Sequence, residues 1–337
     1  MHAKRYENIS IIGDGGMGTV LGMLFSDKEL RPRIWGYDAD QLNAFARAGE
    51  NTRFLPGYPL PQAIAFEPND ERIMLDADCI VSAVPCQYMR RVWQRLKPYV
   101  PPDVPIVSVT KGIENSTLLR PTQILADVLD RDGRYAVLSG PTIADELARK
   151  LPATACVAGD NDELAEALQH LFSDRVDWLR VYRNTDVLGV ELAGATKNVI
   201  AIAAGIIDGV GLGDNAKAAL LDRGLAEITR LGLAMGARQE TFYGLAGLGD
   251  LVTTCISPSG RNRSFGQRIG QGQSVEQAQA ATKSVVEGIA TCRSVVALAR
   301  QHNVEMPITQ AIHRILFEDQ SVEDALAELM RRRLRAE

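Results

Sequence analysis

The stretch 8-NISIIGDGGMG-18 settles how the N-terminal half folds. Asn8–Ile12 is a short apolar run rich in isoleucine, a residue that suits strands, and it feeds straight into Gly13-Asp14-Gly15-Gly16-Met17-Gly18. A helix-like segment, Thr19–Phe25, follows, and then a second strand-like run, Arg33-Ile34-Trp35-Gly36-Tyr37-Asp38. That run ends in an acid placed 20 positions after Gly18. Strand, glycine turn, helix, strand and acid together form the dinucleotide-binding fingerprint in its required context. Gly13 permits the tight turn, Gly15 lets backbone approach a pyrophosphate, and Gly18 lets helix and strand pack closely. The N–H groups at the helix start, beside Gly16, face the phosphate charge. A glycine run alone fits a plain structural turn equally well; the flanking elements carry the reading.

Working outward, three more β-like runs end in polar or rigid breaks. Cys79–Val84 meets Pro85, Ile106–Val109 meets Thr110-Lys111-Gly112, and Tyr135–Leu138 meets Ser139-Gly140-Pro141-Thr142. Ligands of an open parallel sheet bind outside the carboxyl ends of its strands, so these breaks belong on the same rim as the glycine loop. Lys111 is there either a solvated loop lysine or an anion contact. Ala155–Ala158 and Trp178–Tyr182 read as late strands extending the sheet. The expected architecture is a Rossmann-type doubly wound α/β domain over residues 1–189 and an all-α domain over 190–337.

The second half is organised around Glu191–Asp208, ELAGATKNVIAIAAGIID. Between Leu192 and Ile207 its one ionisable side chain is Lys197. A helix apolar all round is normally buried, and an unpartnered buried ammonium costs several kcal/mol. Lys197 therefore either snorkels from a helix edge or is a buried, functional lysine that faces an acid or a polar cavity. The run falls short of the roughly 20 residues a membrane span needs and has a lysine inside it. Ala216–Met235, Val286–Asn303, Pro307–Phe317 and Ser321–Arg335 read as further helices, with apolar residues three and four apart. Gly209–Gly213, Gly244–Asp250 and the polar, basic Ser257–Arg263 interrupt them.

Composition narrows the functional classes. A net charge of -5 argues against a nucleic-acid partner. The start, MHAKRYENISIIGDGG, has no apolar signal core, and a cytoplasmic protein without membrane insertion is expected. The five cysteines are scattered without a CxxC, and the four histidines lack ligand spacing, so no metal site is expected.

A nicotinamide cofactor suits hydride transfer, with a protein group moving the accompanying proton. A general base works best with a pKa near operating pH, and burial pushes lysine toward that range. Lys197 is the best candidate. Asp250 either orients that lysine or caps a helix after its loop. Arg261 and Asn262 offer a donor fork and an amide that match phosphate oxygens, unless the loop is simply exposed. Glu287 either belongs to the site or favours the start of the next helix.

Taken in order, GDGGMG, NTRFLPG (51–57), VTKGIE (109–114), SGPTIADE (139–146), ELAGATKNVIAIAAGI (191–206), GLAGLGDLVTTC (244–255), GRNRSFG (260–266), VVEG (285–288) and EMPIT (305–309) span nearly the whole chain. In these motifs the chain resembles the bacterial NAD(P)-dependent glycerol-3-phosphate dehydrogenases. The resemblance implies reversible reduction of dihydroxyacetone phosphate to sn-glycerol 3-phosphate, a phospholipid precursor, with NAD(H) or NADP(H). It implies Lys197 as proton acceptor in the oxidation direction, with Asp250 beside it. Lys111, Gly140, Thr142, Asp250, Gly260, Arg261 and Asn262 would surround the substrate, with Lys197 in contact with it. Gly13, Gly15, Gly16, Met17, Gly18, Tyr37, Asp38, Ala144, Val285 and Glu287 would line the cofactor, with Lys111 and Arg261 near both ligands. The expected partner is a small phosphorylated triose, and the assembly, monomer or homodimer, is left open.

The chain departs from the family pattern in places. Gly260 stands where serine is frequent, so a contact there is through backbone. Thr142-Ile143 replaces Ser-Phe, and Cys86 replaces a serine. A basic residue that could hold a 2′-phosphate is often present at the end of the second strand. Here Tyr37-Asp38 stands there, and a carboxylate would accept from a ribose diol, so a lean toward NAD is expected. The rivals are a β-hydroxyacid or ketopantoate-type reductase, which acts on carboxylates, and a non-catalytic nucleotide sensor. The RNR loop, GLGDL and the Lys197–Asp250 combination weigh against them.

Overall fold

The structure, a computed structural model, describes residues 6–282 and 285–333. It divides into two compact units. The first comprises residues 1–111 and 120–191, the second 112–119 and 192–337.

The first unit runs β1 (Asn8–Ile12), α1 (Gly16–Asp27), β2 (Arg31–Trp35), α2 (Ala39–Ala48), β3 (Glu50–Asn51), β4 (Leu55–Pro59), β5 (Ala65–Phe66), α3 (Asp70–Met74), β6 (Cys79–Ser82) and α4 (Cys86–Leu96). It continues with β7 (Ile106–Ser108), α5 (Pro121–Leu129), β8 (Tyr135–Ser139), α6 (Ala144–Ala148), β9 (Ala153–Gly159), α7 (Asp162–Ser173) and β10 (Leu179–Asn184). Eight strands form one sheet in the order β10-β9-β8-β7-β6-β1-β2-β5. All neighbours are parallel except β8 and β9. Such strands are buried on both faces, which is why Ile9, Ile11, Ile12, Ile80 and Val81 are fully enclosed. Each such side chain contributes about 2 kcal/mol relative to exposure. The chain leaves β1 toward β2 and β5, then returns to β6 on the other side. That reversal puts the carboxyl end of β1 at a topological switch point, the usual place for a ligand. The two expected late strands are present as β9 and β10, and the 51–57 motif closes a small antiparallel pair, β3–β4.

The second unit is helical. It contains most of α8 (Val187–Val210), then α9 (Gly213–Ala234), α10 (Gln239–Tyr243), a π-helical turn (Leu245–Gly249) and α11 (Asp250–Ile256). After these come α12 (Arg261–Gly270), α13 (Val275–Ala280), α14 (Glu287–Gln301), α15 (Pro307–Phe317) and α16 (Val322–Met330). The final helix stops at Met330, and positions 334 and 335 of the expected range lie outside the described residues. α8 has 24 residues, so length does not exclude a span; what does is that its most apolar window is 94% buried inside the protein. The glycine-rich 244–250 run is ordered as a wide turn, not an open loop. A side chain at Gly247 would meet Phe242 O at 2.1 Å, so only glycine permits that winding.

α8 and α12 pack backbone to backbone. A Cβ on Gly205 would fall 1.9 Å from Arg263 O, and one on Gly266 would fall 2.0 Å from Ile202 O. Gly205 and Gly209 lie four apart on α8, as Gly266 and Gly270 do on α12, so each pair shares a helix face. This close approach fixes where α12, and the residues at its start, stand relative to Lys197.

Candidate active site

In the first unit the glycine loop has the shape a pyrophosphate needs. Gly13 has φ +121, and a Cβ on it would collide with Ala83 O at 2.7 Å. A Cβ on Gly18 would sit 2.0 Å from Gly13 O, whereas one on Gly15 would meet nothing within 4 Å. The turn is thus closed on its inner side and open outward. α1 starts at Gly16 with no side chain capping it, which leaves its first N–H groups to an anion. Asn51, from the 51–57 motif, braces the turn by donating to Asp14 O at 2.8 Å and Thr19 Oγ1 at 2.7 Å. The residues present therefore fit a dinucleotide.

Other candidates gather beside the loop. The Cβ of Ala144 lies 3.6 Å from the Cβ position of Gly16. Met17, Val109, Lys111, Leu138 and Thr142 line one small cavity. Lys111 Nζ donates to Gly140 O at 3.0 Å, and Thr142 Oγ1 donates to the same oxygen at 3.1 Å. Gly140 has φ +143 and its backbone lies against Ala155. Asp38, expected to accept from a ribose diol, also serves its own helix. Its Oδ1 accepts from the N–H groups of Asp40 and Gln41 at 3.0 and 3.1 Å, as the N-cap of α2.

The second unit holds the amine. Lys197 and Asp250 are 5% and 2% exposed, and Nζ donates to Asp250 Oδ1 at 2.5 Å. Nζ also donates to Thr254 Oγ1, which in turn donates to Asp250 Oδ1 at 3.2 Å. Snorkelling is thereby excluded. Sequence reading missed Thr254, although it lies four residues after Asp250 on the same helix, the spacing that faces two side chains together. Asp250 opens α11 directly from the π-helical turn, so its position is set by packed backbone.

α12 starts at Arg261 with Gly260 as its N-cap and no side-chain cap. Arg261 is exposed and its Nη1 donates to Val285 O at 3.1 Å, which joins two of the candidates. Arg263 is committed elsewhere, to Asp208 at 2.6 Å. Asn262 is buried; its Nδ2 donates to Asn198 Oδ1 at 3.0 Å and its Oδ1 accepts from Gly288 N at 2.9 Å. It therefore ties α8, α12 and the start of α14 together. Asn198 Nδ2 is buried with no hydrogen-bond partner among the described residues, a donor left open at a cost of about 1–3 kcal/mol. Glu287 is the first residue of α14. No group of three or more metal-ligand side chains occurs among the described residues.

Residues 8–165 match the family model for the N-terminus of NAD-dependent glycerol-3-phosphate dehydrogenase, and residues 186–327 match the model for its C-terminus. The chain belongs to this family. The glycerol-3-phosphate dehydrogenase of Pelotomaculum thermopropionicum is 45% identical over 96% of this chain and 93% of its own length. That of Geobacter sulfurreducens is 44% identical over 98% and 99%. Among solved structures, the glycerol-3-phosphate dehydrogenase of Coxiella burnetii has a TM-score of 0.93 at 38% identity and covers 97% of this chain and 99% of that one. As a member of the family the chain is an NAD(P)-linked oxidoreductase that acts on a CH–OH group.

Proposed function

We propose that the protein reduces dihydroxyacetone phosphate to sn-glycerol 3-phosphate, reversibly, with Lys197 as general acid/base and the product destined for glycerophospholipids. The observation that carries the reading is the enclosed Lys197–Asp250 pair in a chain that also has an outward-open dinucleotide loop. Bound nicotinamide supplies or accepts the hydride at C2 of the substrate. Lys197 Nζ gives a proton to the C2 oxygen during reduction and takes it back from the hydroxyl during oxidation. Asp250 and Thr254 hold the amine in one orientation, which removes the entropic cost of aiming a long side chain. The substrate phosphate is met by the Arg261 fork and the N–H groups at the start of α12, with Gly260 contributing backbone. Lys111, Gly140 and Thr142 form a polar group of their own on the first unit, joined through Gly140 O. Metal chemistry has no part in this scheme. The cytoplasm is the expected compartment, in keeping with five buried cysteines of which none is in a disulfide.

An assay of NADH or NADPH oxidation with dihydroxyacetone phosphate tests the proposal. Turnover with that ketone, and none with ketopantoate or β-keto acids, is the expected result. Nucleotide binding without any turnover would overturn it in favour of a sensor.

A further inference from the structure

The adenosine end of the cofactor site carries an arrangement the sequence did not show. Two guanidinium groups from α4 flank the exposed ring of Tyr37, Arg91 at 5.3 Å and Arg95 at 5.4 Å from its centroid. Arg95 also lies 5.1 Å from the centre of the Trp35 ring. Their charges are not equivalent. Arg95 binds Asp70 through two nitrogens, at 2.6 and 2.8 Å, and Trp35 Nε1 donates to the same carboxylate at 3.0 Å. Arg91 is exposed, and no carboxylate pairs with it among the described residues. Tyr37 lies two residues past the end of β2, where a dinucleotide fold places the adenosine ribose, and Asp38 Oδ1 caps α2.

We propose that Arg91 holds the 2′-phosphate of NADP(H), so that the chain accepts the phosphorylated cofactor despite the acid at position 38. Arg91 reaches from α4 to the place where a basic residue following β2 would stand, and Tyr37 serves as its platform. A guanidinium is suited to this role, since it stacks on an aromatic face while its edge presents a planar donor fork to phosphate oxygens. Asp38 and Asp40 are the acids nearest Tyr37 in sequence, Asp14 lies against Gly36, and Asp70 is bound to Arg95. Burial raises the pKa of Asp14, whose carboxylate accepts from Gln41 Nε2 at 2.7 Å, and Gln41 is held in turn by Arg53. The neighbouring hollow of about 250 Å³ is lined by Asp70 and Glu71 as well as Arg95, and because Asp70 already engages that guanidinium the hollow offers a phosphate no spare cation. The inference rests on the nucleotide-binding reading of the glycine loop and deepens it.

The test is direct binding, by protein fluorescence or calorimetry, of NADH, NADPH, 5′-AMP and adenosine 2′,5′-bisphosphate. The wild type is expected to bind NADPH at least as tightly as NADH. Arg91→Ala should weaken NADPH and the bisphosphate roughly ten- to a hundredfold, as loss of a charge-assisted contact does, and move NADH and 5′-AMP less than about twofold. Arg91→Lys should fall between, since it keeps charge and loses the fork. Arg95→Ala should have the smaller effect of the two arginines. A wild type that binds only NADH, or a variant that weakens both dinucleotides equally or neither, overturns the assignment to Arg91. Failure to bind any of the four would instead overturn the nucleotide reading itself.

Discussion

Asp250 Oδ1 lies 2.5 Å from Lys197 Nζ, with the two side chains only 3% and 6% exposed. Removing one member of such a pair does two separable things. Lys197→Met should lower turnover by about a hundred- to ten-thousandfold, the usual contribution of a positioned acid or base. It should also destabilise the fold by about 3–5 kcal/mol, because the Asp250 carboxylate is left unmatched. Adding Asp250→Asn should restore part of the stability and none of the turnover. NADH binding should persist in both variants. Near-full turnover in Lys197→Met would refute the assignment of the base.

The packing of α8 on α12 gives a second prediction. Gly205→Ala forces a methyl group into the carbonyl of Arg263, and backbone on a helix cannot yield as a flexible side chain can. The expected cost is about 3 kcal/mol or more, at the upper end for overpacking. Because α12 must back away, Asn262 should lose its bond to Asn198, and KM for the ketone should rise more than kcat falls. Denaturant unfolding and steady-state kinetics check it; unchanged stability would mean that the helices are not in close register.

Glu227, on α9, gives a pH dependence unrelated to catalysis. It accepts from Ile308 N at 2.6 Å, and from Thr309 N and Oγ1, both at 3.1 Å, at the start of α15. Burial pushes its carboxyl from the ordinary 4.5 up to about 7, against those donors and the nearby Arg230. Between those values the folded chain holds a proton that the unfolded chain releases, so Glu227 makes stability fall as pH rises from about 4.5 to about 7. Over that window the change amounts to about 3 kcal/mol. Glu227→Gln should remove it, which would appear as a smaller loss of unfolding free energy between pH 5 and pH 8. Parallel pH profiles for the two proteins would contradict the raised pKa.

These cases show which features the sequence reveals. β1, the glycine turn and α1 are legible because strand, turn and helix requirements act within neighbouring residues. The burial of Lys197 is legible because α8 offers no polar face to turn outward. Thr254 was hidden by the reading of 244–250 as an open loop, since glycines signal flexibility unless distant backbone, here Phe242, holds them. The capping of α2 by Asp38 Oδ1 went unread, because an acid after the second strand is also the acid of the nucleotide fingerprint. Arg91 and Tyr37 are far apart in sequence, and only the fold brings α4 to the end of β2. Glu191 carries no outward sign of its task, yet it accepts from Thr122 N and Oγ1 at 2.7 and 2.8 Å and pairs with Arg120.

Arg261 supplies the last prediction. Its neighbour Arg263 is bound to Asp208, and the Asn262 side chain is engaged on both its amide atoms. Arg261 is exposed and makes one bond to a neutral carbonyl, Val285 O. It is therefore the cation of the RNR run best able to turn to a phosphate ester. Arg261→Lys keeps the charge but removes the planar fork, and KM for dihydroxyacetone phosphate should rise about tenfold. Arg261→Ala should raise it further, toward a hundredfold, with kcat changed much less, since the phosphate is held alike before and during hydride transfer. The complementary measurement uses dihydroxyacetone, which lacks the phosphate, as a poor substrate. Wild type and Arg261→Ala should then differ little, because the contact that distinguishes them is missing. An equal penalty on both ketones would show that Arg261 acts through the fold and not through the phosphate.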